Sequence, residues 1–187
     1  PTGLDFASLP QGTIKHRPIK ICWIGSGSNE KYLAHLVAPL NHLWQDYDFE
    51  FRVIGAGMFA ANWAKAPNFI RWQLGEAEKR VAECHIGVAP LDQSSIELTK
   101  PPSKLILYMA LKLAVIGTET PPYRSLIQNG VNGFLISNNS PDEWYNALVE
   151  LFDTKRRNWM AIQGYNSCKS YDAPVIARRW DRFLKKL

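Results

Sequence analysis

Short β-rich apolar runs closed by glycine, serine or proline alternate with amphipathic stretches along most of this chain, and that alternation restricts the folds open to it. Residues 19–25 (IKICWIG) form such a run, and Leu33, Leu36, Leu40 and Leu43 after it recur at helical spacing. The strand signal returns at residues 49–55 (FEFRVIG), more weakly at 69–73, then at 85–90 (HIGVAP), 113–118 (LAVIGT) and 133–137 (GFLIS). Helices are predicted between these runs over residues 76–83 and 102–111, with a brief helical turn before Gly130. The tail from Ser140 onward is read as helical. Ser140 is its cap, Pro141 occupies the first helical position, and Asp142 and Glu143 complement the dipole. Strands separated by helices of this length cannot pair as hairpins, so right-handed crossovers must join them. The expected fold class is α/β, a doubly wound, mostly parallel sheet with helices on both faces. In such sheets ligands sit beyond the C-terminal strand ends, which directs attention to the loops after Gly25, Gly55, Pro90 and Thr118.

The chain's 187 residues are 46% hydrophobic and 21% charged, enough large apolar groups to offset the entropy of ordering, so disorder is excluded for the bulk. No apolar run reaches the length of a membrane span, and PTGLDFASLPQ lacks the basic start and apolar stretch of a signal peptide. Cys22, Cys84 and Cys168 are odd in number and far apart, which suits neither a disulfide framework nor a metal site and fits a reducing, cytoplasmic setting. From Lys155 onward nine Lys or Arg face only Asp172 and Asp181, leaving the remainder close to neutral. A uniformly basic nucleic-acid surface is therefore not expected. Residues 1–18, punctuated by Pro1, Gly3, Pro10, Gly12 and Pro18, read as an extended link, residues 19–172 as the α/β domain, and residues 173–187 as a separate amphipathic, basic helix.

Three segments carry candidate chemistry. The loop Gly25, Ser26, Gly27, Ser28, Asn29 offers backbone N–H groups and hydroxyls at a helix start, suited to a phosphate and equally to a plain tight turn. It fails as a dinucleotide fingerprint because Glu30 stands where the third glycine belongs, which weakens an oxidoreductase reading. In TKPPSKLILYMA the two prolines force an extended entry and then a helix start carrying Ser103 and Lys104. With Lys100 these form either a second anion site or a solvated lysine pair. His16, His35, His42 and His85 have no partners at metal spacing, and no hydrolytic set stands out. In the last helix Ile176, Trp180, Phe183, Leu184 and Leu187 share one face and Arg178, Arg179, Arg182, Lys185 and Lys186 lie largely on the other. That pattern suits packing on a domain, self-association, or peripheral contact with an anionic membrane.

The ordered series PTGLD, ICWIGS, IGVAPLD, KPPSKLILYMA, GVNGFLI and a closing aromatic, basic helix resembles the C-terminal half of group 1 (family 4) glycosyltransferases of the GT-B fold. The resemblance implies a nucleotide-sugar donor domain of a retaining enzyme that needs no metal or other cofactor. It also implies an acceptor-binding domain upstream of Pro1, without which these residues alone are expected to be inactive, and a role in glycan or glycoconjugate synthesis. Donor contacts then fall on Gly25, Ser26, Gly27, Ser28, Asn29, Lys100, Ser103, Lys104 and Leu107. No catalytic residue is assigned. The chain departs from the family pattern at Leu107, where a glutamate commonly accepts from the donor ribose, and at His85, where an aspartate is usual. Lys112 and Ala114 replace a glycine and a proline and are expected to alter the helix C-cap and the turn after it. These departures leave a second reading, a noncatalytic scaffold of the same fold.

Overall fold

A computed structural model describes residues 3–10, 18–55, 57, 59–94 and 97–185. Among these, the alternation resolves into β1 (Ile19–Ile24), α1 (Ala34–Asp46), β2 (Phe49–Gly55), β3 (Asn68–Arg71), α2 (Ala77–Ala82), β4 (Ile86–Ala89) and α3 (Ser103–Ala110). These are followed by β5 (Ala114–Thr118), α4 (Pro121–Arg124), β6 (Phe134–Ile136), α5 (Pro141–Phe152), α6 (Thr154–Cys168) and α7 (Ala173–Leu184). All neighbouring strands run parallel, in the order β3-β2-β1-β4-β5-β6. This is the doubly wound order in which the winding reverses between β1 and β4.

Alternation along the strands divides the core in two. On one face Ile21, Trp23, Phe51, Val53, Val88 and Ile116 meet Leu36, Leu40 and Leu43 of α1 and Trp144, Leu148 and Leu151 of α5. On the other, Cys22, Ile24, Ile54, Ala89 and Val115 meet Val81 of α2 and Leu105, Tyr108 and Met109 of α3. The central strands are buried on both faces, which is why each reads as a continuous apolar run.

The described tail holds three α-helices, with a 3-10 turn, Lys169–Tyr171, between the last two. Asp153 ends α5 and caps α6, its carboxylate accepting from the Arg156 N–H, and α6 gives Met160 to one face of the core and Cys168 to the other. The helical spacing through Leu33, Leu36, Leu40 and Leu43 is α1 with its N-cap, and the loop ahead of it is wound as a 3-10 helix, Gly27–Leu33. At the end of α3 the expected alteration of the cap does not occur. The Lys112 N–H donates to the Met109 carbonyl (3.0 Å) and the Leu113 N–H to the Tyr108 carbonyl (2.9 Å), a Schellman motif with Lys112 at φ 56° in the position usually left to glycine.

Residues 3–10 are tied to the start of α7. Leu4 bridges Asp172, the Phe6 N–H donates to the Asp172 carboxylate at 3.1 Å, and Leu9 is buried in the core. On α7 Ile176 is buried while Trp180, Phe183 and Leu184 are exposed by 49%, 54% and 60%. Leu187 and Lys186, like His16, fall outside the described residues. No described helix is long and apolar enough to cross a membrane.

Candidate functional site

The six-residue strand β1 pairs with β2 along its whole length, yet with β4 only at Ile21–Ile86 and Cys22–Gly87. Beyond Cys22 the two strands part, and one side chain holds the gap. The Tyr108 hydroxyl of α3 accepts from the Ile24 N–H at 2.9 Å and donates toward the Val88 carbonyl at 3.4 Å, satisfying backbone groups that a continued ladder would have paired. Gly87 makes this possible, because a Cβ there would lie 2.4 Å from the Tyr108 ring. The crevice at the topological switch point is thus built by a glycine in HIGVAP and a tyrosine in KLILYMA.

Three elements converge on it. The loop after β1 is braced internally: Ser26 and Ser28 hydroxyls lie 3.0 Å apart, and the Asn29 amide donates to the Ser26 hydroxyl at 2.9 Å. Gly25 is required by close approach, since a Cβ there would meet the Trp23 indole at 2.5 Å and the Lys104 Nζ at 3.0 Å. Lys100, ahead of α3, donates to the Asn29 side-chain carbonyl (3.2 Å) and the Tyr32 hydroxyl (2.9 Å), joining the α3 entry to the loop after β1. Lys104, in the first turn of α3, lies with Nζ 4.2 Å from the centre of the Trp23 ring. Among the described residues no carboxylate or hydrogen-bond acceptor is paired with that ammonium. Burial, and after it the Lys100 charge, push its pKa down to about 7.

The structure therefore brings Gly25, Asn29, Lys100 and Lys104 together and separates the two lysines by role, one tied down and one unpaired. Ser103 is exposed at the start of α3. Leu107 is half-buried against the core on the α3 face. Four contributors escaped the sequence reading: Trp23, Tyr32, Tyr108 and Glu30. Glu30 is buried, accepts from the Gly57 N–H at 2.9 Å and occupies the space that side chains at positions 55 and 57 would fill. Gly55 and Gly57, two residues apart at the end of β2, are the sequence signal for it.

Two flanking features have structural explanations. His85, where the family pattern has an acid, accepts through Nδ1 from the Lys20 N–H at 3.0 Å, so its ring extends the pairing of the chain before β4 with β1. His35 pairs with Asp92 of the loop after β4 at 2.7 Å, with Lys31 3.8 Å from the same carboxylate. Cys22, Cys84 and Cys168 are buried and joined in no disulfide, and no described cluster of His, Cys, Asp and Glu could hold a metal ion.

An all-parallel sheet in this order, with helices on both faces and a cationic crevice at its reversal, defines a Rossmann-like α/β domain. Residues 18–154 match the family model for glycosyl transferases group 1, so the chain belongs to that family. No curated protein matches it. Its fold is that of GT-B glycosyltransferase domains. It is similar to the C-terminal domain of the group 1 glycosyl transferase LpcC from Francisella tularensis (TM-score 0.73, 18% identity, 91% of this chain and 100% of that one). It is also similar to a glycosyltransferase from Rickettsia africae (TM-score 0.79, 12% identity, 99% of this chain and 55% of that one). Anabaena Alr3699/HepE, solved in complex with UDP-glucose, gives TM-score 0.72 at 13% identity, over 99% of this chain and 56% of that one. The chain thus spans slightly more than half the length of the latter two.

Proposed function

We propose that this chain is the donor-binding half of a retaining glycosyltransferase, which moves a sugar from a nucleoside diphosphate sugar to a glycan or glycoconjugate acceptor held by a second domain. The observation that carries the reading is Lys104, an unpaired ammonium at the switch point, facing the Gly25–Asn29 loop. A group placed there without an anion is destabilising unless a ligand supplies one. The loop N–H groups and Lys104 would hold the diphosphate, and the positive charge they present to it would stabilise the leaving group as the glycosidic bond breaks. Lys100 would keep the α3 entry and the loop in register. No metal is assigned a part. The UDP-glucose bound to the Anabaena protein supports a nucleotide-sugar donor for this one.

The test is titration of the full chain with UDP, GDP and the parent nucleosides. Diphosphates should bind weakly and nucleosides much more weakly. Lys104→Ala should reduce diphosphate affinity by about 1.5 to 3 kcal/mol, the loss of a charge-assisted contact. A second reading, a scaffold of the same fold without donor recognition, is favoured by one observation: Leu107 packs as an apolar residue and can accept no hydrogen bond from a ribose. No diphosphate binding even at millimolar concentration would put that reading in place of the first.

A further inference from the structure

The ammonium of Lys104 is in an unusual position for a protein cation. It rests on the face of a fully buried indole, 4.2 Å from its centre, and abuts the Gly25 backbone. The titratable groups around it give no compensating negative charge. Lys100, from the segment entering α3, is a like charge held by Asn29 and Tyr32. Tyr32, from the 3-10 turn after β1, is engaged by Lys100. Glu30, from the same turn, directs its carboxylate onto the Gly57 N–H. Tyr108, one turn further along α3, commits its hydroxyl to β1 and β4.

We propose that anion binding in this crevice is coupled to protonation of Lys104, so that a diphosphate entering at mildly alkaline pH takes up a proton from solvent together with the ligand. The inference rests on the donor-binding reading above and deepens it. The physical ground is that desolvation and a neighbouring cation both disfavour the charged amine, whereas two phosphates within a few ångströms favour it. The direction of the shift at Lys104, down to about 7, agrees with the geometry. The indole face recovers only part of the lost hydration. In the empty crevice above pH 7 the neutral amine therefore predominates, and the charged form returns with the ligand.

The sign of the linkage separates this from ordinary phosphate binding. A terminal phosphate has its own second pKa of about 6, so below pH 7 the nucleotide releases protons on binding and masks uptake by the protein. At pH 8 the phosphates of UDP are already ionised and its uracil is still neutral, while a lysine with its pKa at about 7 is roughly one-tenth protonated, so nearly all of any proton taken up is Lys104's own. The experiment is calorimetric titration of the full chain with UDP at pH 8 in two buffers of different ionisation enthalpy, which gives protons taken up per UDP bound. We expect about 0.5 to 0.9, with UDP affinity falling as pH rises from 7 to about 8.5, below the titration of the uracil ring. Lys104→Arg, whose guanidinium stays charged, should bind UDP with no uptake and a flat pH dependence over the same range. Lys100→Met removes the neighbouring cation, so uptake should shrink. Binding of UDP with no uptake by the parent, or uptake undiminished in Lys104→Arg, overturns the inference while leaving the donor reading in place. Absence of binding by UDP and GDP alike overturns both.

Discussion

At the C-terminal edge of the sheet, the seams on either side of β4 are finished in opposite ways. Between β4, β5 and the residues after β6 the strand ends are stitched together: Thr118 accepts from the Leu91 N–H and bonds the Asn139 side-chain carbonyl, while the Asn139 amide donates to the Leu91 carbonyl at 2.7 Å. Between β1 and β4 the ladder stops two pairs in, a tyrosine from α3 holds the strands apart, and an unpaired ammonium stands at the opening. At both seams side chains bond backbone groups at the strand ends. Only one leaves a charge without a partner. The comparison teaches where function resides in a sheet of this kind: at the seam whose side chains do not close on one another.

The parting of β1 and β4 is the feature most open to being broken. Gly87→Ala would drive a methyl into the Tyr108 ring, with strand backbone on one side and a fully buried side chain on the other. Neither can yield cheaply, and a loss of about 3 kcal/mol or more in urea unfolding is expected. Tyr108→Phe is gentler, because it keeps the ring and strips only the hydroxyl, stranding the buried Ile24 N–H for about 1 to 3 kcal/mol. If Tyr108→Phe unfolds at the parent's denaturant midpoint, the hydroxyl does not hold the seam. UDP affinity should fall in whatever Tyr108→Phe protein remains folded, because the crevice loses the group that fixes its width.

The stitched seam predicts the reverse pairing of effects. Asn139 sits at φ 53°, so glycine tolerates its backbone, and in Asn139→Gly the relief of that backbone and the greater freedom of glycine in the unfolded chain oppose each other, leaving the lost side chain as the main effect. Stability should drop by about 1 to 2 kcal/mol, for two side-chain hydrogen bonds, with UDP affinity unchanged. A substantial change in UDP affinity in this variant would show that the two seams are coupled and the contrast between them is false.

Most of the fold was legible because its signal is local. Strands buried on both faces read as apolar runs between turn residues, and Ser140 with Pro141 marked the start of α5 as they should. α6 was not separable, and the reason is physical. Its buried positions are Arg157, Met160, Ala161, Gly164 and Cys168, a set with little apolar contrast, in which Arg157 is accommodated by donating to the Leu151 and Phe152 carbonyls rather than by facing water. At the site, Gly25, Asn29, Lys100 and Lys104 could be nominated from glycine, hydroxyl and lysine at helix starts. What separated the two lysines could not, because the Lys100 bond to Asn29 spans 71 residues and the Trp23 face beneath Lys104 lies on another element. Gly87 and Tyr108 illustrate the same limit: each is unremarkable in its own segment, and their contact is visible only once β4 and α3 are packed.

Lys112 offers the smallest effect and the control for all the others, since it lies at the far end of α3 from Lys104. Holding an L-residue at φ 56° stores about 1 to 2 kcal/mol, which Lys112→Gly would relieve. Against this stand the loss of the Lys112 ammonium over the Tyr165 ring at 4.9 Å, about 0.5 kcal/mol at a site open to solvent, and the greater freedom of glycine in the unfolded chain, about 0.5 kcal/mol more. A net gain near 0.5 kcal/mol follows. Lys112→Ala loses the cation–π contact but keeps the backbone penalty, so it should fall below the parent by about 0.5 kcal/mol. The difference between the two variants, about 1 kcal/mol, reads out the left-handed cap with the lysine contact absent from both. An alanine variant as stable as the glycine one would mean that α3 does not end in this motif. Because neither substitution touches the β1–β4 opening, UDP affinity should stay at the parent value in both, and a drop in either would place the cap of α3 in communication with the crevice at its other end.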